Sequence, residues 1–202
     1  MSKAHNPSDH DLIQFCDDDG HLTGETGPKV ASHTNATRRH LAFSVFVFNS
    51  QGLVLATQRS SHKTVWPLVW TGTCCGHPLP GESLEHAMQR RLKYELGLTA
   101  KDFTLVLPKY RYTTPPYHGI VENEFCPVYL ARAISEPQPN HLEVENYRWI
   151  SWDQLNAEAA ADAHDHSQPD APDAPRWSYW MKDQLPQLPE ALLAGFTRPA
   201  QV

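Results

Sequence analysis

Residues 76–98, GHPLPGESLEHAMQRRLKYELGL, constrain this chain more than any other stretch. Glu82-Ser83 supplies a helix start, and Gly97 supplies a stop where a left-handed residue suits glycine. Between them Leu84, Ala87, Met88, Leu92 and Leu96 recur at helical spacing. The helix expected over 83–96 therefore has a core-facing apolar stripe. Arg91 and Glu95 stand four residues apart on that same stripe rather than on the solvent side. Charges so placed must be paired, and a buried pair adds little net stability once desolvation is counted. The plain structural reading is an ion pair. The chemical reading is that Glu95 binds a hard cation such as Mg²⁺ while Arg91 grips a phosphate oxygen bidentately.

The rest of the chain is rich in strand signals. LIQFC, a turn at Asp18-Asp19-Gly20 and HLTG read as a hairpin. LAFSVFVFN is the strongest strand signal and turns at Asn49-Ser50-Gln51-Gly52 into LVLATQR. Residues 61–70 read as a loop with two tryptophans, and 103–114, 120–134 and 145–152 as three further strands. Asp153 to Asp162 reads as a short helix, 163–175 as a Pro- and Asp-rich loop, and 177–196 as a terminal helix interrupted near Pro186. Residues 1–10 are polar and expected to be loose. No repeat or linker divides the 202 residues, so the expectation is one domain, 1–202, folded as a mixed α/β sandwich with helices outside.

A net charge of -6 excludes a generic nucleic-acid binder, so an anionic ligand must be met by a local basic cluster. Without an apolar run of about 20 residues or a signal pattern, no membrane role is expected, and the chain is expected to be cytoplasmic. Four cysteines in a chain this long do not suggest a disulfide framework. His164 and His166 read as solvated loop residues without a role.

Cys75 and His77 flank Gly76, which lets backbone approach a ligand closely. A cysteine is usually a small buried hydrophobe, so this signal is weak alone. Glu122 and Glu124 alternate along a strand and share a face, which a protein tolerates in water or around a cation. Pro127 permits an exposed edge strand, whereas Ile120, Val121, Phe125 and Val128 argue for burial. With His33, His40 and His77 these acids would form a three-His, two-carboxylate set suited to Mn²⁺, Fe²⁺ or Zn²⁺. Lys29, Arg38, Arg39, Arg59, Lys63, Arg90 and Arg91 are the candidate anion-binding cations. Trp66, Trp70, Tyr112, Trp177, Tyr179 and Trp180 are chiefly core candidates, a subset of which could line a pocket.

Gly76, Glu82, Arg90, Glu95 and Gly97 keep the frame of a Nudix box, with Arg91 and Tyr94 where a hydrolase of that superfamily has further glutamates. TRRHLAFSVFVFN, WPLVWTGTCCGHPLPGES, RRLKYELG and GIVENEFCPVY together resemble the bacterial type I isopentenyl-diphosphate isomerases, over roughly Leu12 to Phe196. The resemblance implies a Nudix-like mixed β-sheet sandwich with flanking helices. It implies isomerisation of isopentenyl diphosphate to dimethylallyl diphosphate through a tertiary carbocation, with Nudix-type diphosphate hydrolysis as the alternative. It further implies Cys75 and Glu124 as opposed acid/base groups, with Tyr112 hydrogen-bonded to the glutamate. His33, His40, His77, Glu122 and Glu124 are implied to hold Mn²⁺ or Zn²⁺, and Glu95, with the Cys75 carbonyl, a Mg²⁺ on the diphosphate. Lys29, Arg59, Lys63 and Arg91 are implied to hold the diphosphate, and Trp177 or Trp180 to face the cation. The family places that tryptophan directly after a proline, whereas Arg176 intervenes here between Pro175 and Trp177. The expected partner is the small prenyl diphosphate alone, on a monomer or weak dimer.

Overall fold

A computed structural model describes residues 11–163 and 176–199. The expectations for residues 1–10, for His164 and His166, and for all of the 163–175 loop but its first residue lie outside the described residues. Among those described, strands β1 (Leu12–Cys16), β2 (Leu22–Pro28), β3 (His40–Leu41), β9 (Arg111–Thr113) and β10 (Asn123–Phe125) form one sheet in the order β2-β1-β3-β10-β9. The second sheet runs β12-β5-β4-β11-β8. Its members are β4 (Phe43–Phe48), β5 (Val54–Arg59), β8 (Ala100–Leu107), β11 (Val128–Ala133) and β12 (Val144–Ile150). Two short strands extend it, β6 (Trp70–Thr71) beside β5 and β7 (Cys74–Gly76) beside β4.

Strand β4 shows why its sequence is an unbroken apolar run. It lies inside the sheet with both faces covered, so alternation with polar residues is lost and all six residues are buried. Phe43, Val45 and Val47 pack on one face with Met88, Leu92 and Leu96 of helix α2 (Leu84–Leu96). Phe46 and Phe48 pack on the other with Leu155, Met181 and Phe196, from helices α3 (Trp152–Ala161), α4 (Tyr179–Gln184) and α5 (Glu190–Thr197). The mixed sandwich with flanking helices is thus two apolar layers on either side of one sheet.

Helix α2 starts and stops as its sequence dictates. Ser83 Oγ accepts from His86 N at 3.2 Å, a cap contributing about 1 kcal/mol. Gly97 adopts φ 57° and its N–H reaches Leu92 O and Lys93 O. Its buried residues include Arg91 and Glu95 beside the aliphatic stripe.

Three expectations need correction. Residues 103–114 are not one strand: the chain breaks after Leu107, and β8 and β9 belong to different sheets. The same happens at Cys126-Pro127, where β10 ends in one sheet and β11 begins in the other. Prolines 108 and 127, which lack the ladder N–H, sit at both crossings. The edge-strand reading of 122–124 also fails, because β10 lies between β3 and β9. The terminal helix divides into α4, a 3-10 turn at Leu185–Gln187 and α5, as its two prolines require. One further helical turn, α1 (Lys29–Ser32), follows β2.

Candidate active site

Register assembles the site. Strand β10 pairs parallel with β3, setting Glu124 against His40, and antiparallel with β9, setting Glu124 against Tyr112. His40, Glu124 and Tyr112 therefore stand abreast across three strands. Their side chains meet: Tyr112 Oη donates to Glu124 Oε2 at 2.8 Å, and His40 Nε2 lies 3.7 Å from Glu124 Oε1. Helix α1 brings His33, whose Nε2 lies 2.9 Å from Glu122 Oε2. The loop after β7 brings His77, with Nε2 3.0 Å from Glu124 Oε1 and 3.1 Å from His40 Nε2.

The hydrogen bonds of the histidines decide what this cluster wants. His33 Nδ1 donates to Lys29 O and His40 Nδ1 donates to Arg38 O. In a neutral ring this places the proton on Nδ1 and turns the Nε2 lone pair inward, whereas a ring that takes a second proton donates it from Nε2 to the facing carboxylate. Three imidazole nitrogens and two carboxylates, all buried or half-buried, converge with lone pairs facing one another. Such a set repels itself unless a cation sits among it, and the mixed N/O donors suit a divalent ion. Burial pushes the His77 imidazole down to about 4, against the pull of the Glu124 carboxylate. Burial would raise the pKa of Glu124, but hydrogen bonds from His40 and His77 win and hold it well below the usual carboxylate range. The same contest at Glu122, won by its partner His33, lowers that carboxyl too.

In the second sheet, β7 is paired antiparallel to β4, setting Cys75 against Ser44 and Cys74 against Val45. Alternation sends the adjacent thiols to opposite faces. Cys74 joins the α2 layer and donates its S–H to Glu95 Oε1 at 3.4 Å, so it is no substitute for Cys75. Cys75 Sγ lies 3.1 Å from Ser44 Oγ. Burial pushes the Cys75 thiol up to about 12, with the Ser44 hydrogen bond pulling partly back. Among the described residues all four cysteines are free.

Glu82 and Arg90 of the helix segment hold this strand in place. Glu82 Oε1 and Oε2 accept from Arg90 Nε and Nη2, each at 2.8 Å, and Oε2 also accepts from Leu79 N. Arg90 Nη2 further donates to His77 O at 3.1 Å. The carboxylate–guanidinium pair thus clamps the Cys75–His77 turn onto α2. Gly76 suits that spot, because a Cβ would stand only 3.1 Å from Arg91 Cγ and 3.2 Å from Phe43 Cζ, and a neighbour would have to give way.

Arg91, Glu95 and Lys63 meet around a residue that sequence reasoning missed, Glu143. Its carboxylate is buried and receives Arg91 Nη2 at 3.2 Å and Lys63 Nζ. Arg91 also donates its Nε to Glu95 Oε1 at 2.8 Å. Burial would lower the pKa of Arg91, but the charges of Glu95 and Glu143 raise it instead. Glu143 and Glu145 alternate at the start of β12, and nothing in HLEVEN tells the buried acid from the exposed one. Arg59, at the end of β5, donates Nε to Trp66 O and Nη2 to Val65 O, at 3.0 and 2.9 Å. The loop before β6 is wrapped on that guanidinium, with Trp66 and Leu68 at positive φ.

A cavity of about 180 Å³ joins these groups, lined among others by Lys29, Arg59, Lys63, Arg91, Glu95, Cys75, Tyr112 and Glu124. His33, His77 and Glu122 line it as well, and His40 lies against them, fully buried. Arg38, Arg39 and Arg90 do not: they pair with Glu25, Asp18 and Glu82. Trp177 and Trp180 take different places. Trp177 is fully buried before α4, near Trp70 and under Arg148, off the cavity. Trp180, in the first turn of α4, lines the cavity instead, its Nε1 donating to Thr71 Oγ1 at 3.0 Å. Ser178 caps the start of α4, its side chain accepting from Met181 N.

The NUDIX domain model matches residues 38–171. A protein of Saccharopolyspora erythraea named isopentenyl-diphosphate Delta-isomerase is 46% identical over 77% of this chain and 79% of its own. One of the same name from Klebsiella pneumoniae subsp. pneumoniae is 52% identical over 60% of this chain and 66% of its own. The crystal structure of DR0079 from Deinococcus radiodurans is similar in fold, with a TM-score of 0.55 at 22% identity, over 74% of this chain and 89% of that one.

Proposed function

The chain belongs to the isopentenyl-diphosphate Delta-isomerases of the NUDIX domain family, and from that membership we propose how its residues divide the work. It is an enzyme that moves the double bond of isopentenyl diphosphate to give dimethylallyl diphosphate, by protonation and deprotonation through a tertiary carbocation. The observation that carries the assignment of roles is that Cys75 and the Tyr112–Glu124 pair reach one cavity from two different sheets. Groups so placed can act on opposite faces of one alkene: one adds a proton, the other removes one, and the pair's proton count is unchanged over a turnover. Tyr112 holds the Glu124 carboxylate by a hydrogen bond to a charged acceptor, the stronger kind.

Lys29, Arg59, Lys63 and Arg91 hold the diphosphate. The cation at position 91 matters in a second way. In a hydrolase that position carries an acid that helps prepare a water; here it grips the phosphate, and Tyr94, in place of the other acid, lies off the cavity beneath the Arg91 guanidinium. The diphosphate is a handle, protected from attack. Trp180 offers its ring to the carbocation, an attraction of about 2 kcal/mol when desolvated. The donor set of His33, His40, His77, Glu122 and Glu124 fits Mn²⁺ or Zn²⁺, and Glu95 with the Cys75 carbonyl fits a Mg²⁺ carried in by the diphosphate. Bound ions would supply positive charge that steadies Glu124 and the diphosphate. We assign the single domain to the whole chain, acting on a free small molecule in the cytoplasm as a monomer or weak dimer. Among the described residues no helix is long and apolar enough to cross a membrane.

Proton NMR of isopentenyl diphosphate in D₂O with the metal-reconstituted protein and Mg²⁺ tests the reading. Conversion to the dimethylallyl isomer with deuterium incorporation and no inorganic phosphate is expected. Phosphate release without isomerisation would replace it with hydrolysis.

A further inference from the structure

Behind the cavity wall lies a polar arm that the mechanism has not used. Ser44 and Gln184 are buried to 2% and 1% exposure in an otherwise apolar layer. Buried polar groups persist when their hydrogen bonds are made, so the direction of each bond can be worked out. Gln184 Nε2 can only donate, and it donates to Ser44 Oγ at 3.0 Å. That occupies one lone pair of the hydroxyl. Two sulfurs remain around the oxygen, Cys75 Sγ at 3.1 Å and Cys126 Sγ at 3.5 Å. With the single Ser44 proton on the nearer sulfur, the remaining lone pair of the hydroxyl faces the Cys126 thiol. The hydroxyl is then fully used, with no freedom to rotate.

We propose that Gln184 and Ser44 are positioning residues for Cys75: the hydroxyl donates to the sulfur from behind, which turns the S–H bond away from the wall and toward the cavity. When the sulfur carries no proton, the same hydrogen bond becomes charge-assisted and stronger. The arm thus serves both halves of a proton-transfer cycle. It also explains why α4 is anchored to the site. Trp180 and Gln184 stand four residues apart on one face of α4, so a single helix supplies an aromatic wall of the cavity and the fixed dipole behind its thiol. Ser178 Oγ and Trp180 Nε1 pin that helix to Thr71 Oγ1 at 2.9 and 3.0 Å. This inference rests on Cys75 being an acid/base group of the isomerase.

The test is a double-mutant cycle with S44A and Q184M, assayed for isomerisation of isopentenyl diphosphate. S44A is expected to lower kcat about tenfold, the rate equivalent of one hydrogen bond to a group that gains charge, with KM changed less than about twofold. Q184M keeps the side chain's length, removes the N–H, and is expected to lower kcat by at least about threefold. The S44A/Q184M pair should be no slower than S44A, because both act through one hydroxyl. A wild-type kcat in S44A, or losses that multiply in the double variant, would overturn the arm. If S44A does not fold, Q184M decides alone: unchanged kcat, or a change confined to KM, overturns it. C75A separates the two readings. A C75A protein of normal kcat removes the role of Cys75 and the arm with it, whereas an inactive C75A beside a normal S44A removes only the arm.

Discussion

Replacing Glu143 by glutamine removes one negative charge from a buried cluster and leaves its shape intact. The Glu143 side chain is wholly inaccessible, and its partners Arg91 and Lys63 are 7% and 16% exposed. Removing one member of a buried pair costs about 3–5 kcal/mol, because the other charge is left uncompensated in a poorly solvated place. Two features favour the lower end. Glutamine still offers an acceptor oxygen, and Arg91 retains Glu95 at 2.7 Å. A loss of about 3 kcal/mol in a chain of this size corresponds to a fall in Tm of about 6–12 °C. The second consequence is specific to an anion cradle. With Glu143 gone, Lys63 and Arg91 lack a counter-charge that inorganic pyrophosphate can supply, and saturation at about 100 times Kd contributes about 2.7 kcal/mol. Thermal melts of wild type and E143Q with and without pyrophosphate measure both. E143Q should melt lower in plain buffer and should gain more from the ligand. A Tm within about 2 °C of wild type, or equal gains from pyrophosphate, would refute the claim that Glu143 balances the two cations.

Tyr112→Phe removes a 2.8 Å hydrogen bond to a buried carboxylate, worth about 1.5–3 kcal/mol. Its kcat should fall about 10- to 100-fold while bound metal, read by elemental analysis, stays unchanged. Gly76→Ala pushes a methyl to 3.1 Å from Arg91 Cγ and 3.2 Å from Phe43 Cζ. A denaturant melt should show a loss of about 1–3 kcal/mol, together with weaker substrate binding as Arg91 moves. In metal-stripped protein, His77 is neutral when folded down to about 4 but takes a proton near 6.5 when unfolded. The unfolded state therefore binds more protons between those values, and stability contributed by the neutral ring, present above pH 6.5, is lost as pH falls toward 4. His33, raised by its Glu122 hydrogen bond against the effect of burial, pulls the other way. The difference between wild-type and H77N unfolding curves isolates the His77 share, and a difference that is flat with pH would show that its ring is not held neutral.

Much of the site was legible because its residues belong to short local patterns. The i, i+4 pair on an apolar stripe marked Arg91 and Glu95 as buried charges, and both are buried on α2. The i, i+2 pair marked Glu122 and Glu124, and the histidines at 33, 40 and 77 were named as their partners; the five fall in two donor groups that share His40. Trp177 and Trp180 differ by a few positions in a segment without long periodicity, so only the cap at Ser178 and the docking of α4 separate them. Glu143, Ser44 and Gln184 carry no local mark at all. Ser44 even sits within the most apolar strand of the chain.

What the sequence by itself determined is whatever depends on neighbours within about one helical turn or one strand pair: the caps and stripe of α2, the apolar run of β4, and the replacement of acids by Arg91 and Tyr94. Tertiary structure decided the rest. The chain crosses between sheets at Pro108 and Pro127, a choice set by which faces can be covered and not by strand propensity. That crossing places Tyr112 and Glu124 in one sheet, whereas the pairing of β7 with β4 places Cys75 against Ser44 in the other. Distances between residues so far apart in sequence come from register and packing. No local rule encodes them, and they turn separately recognisable side chains into one cavity.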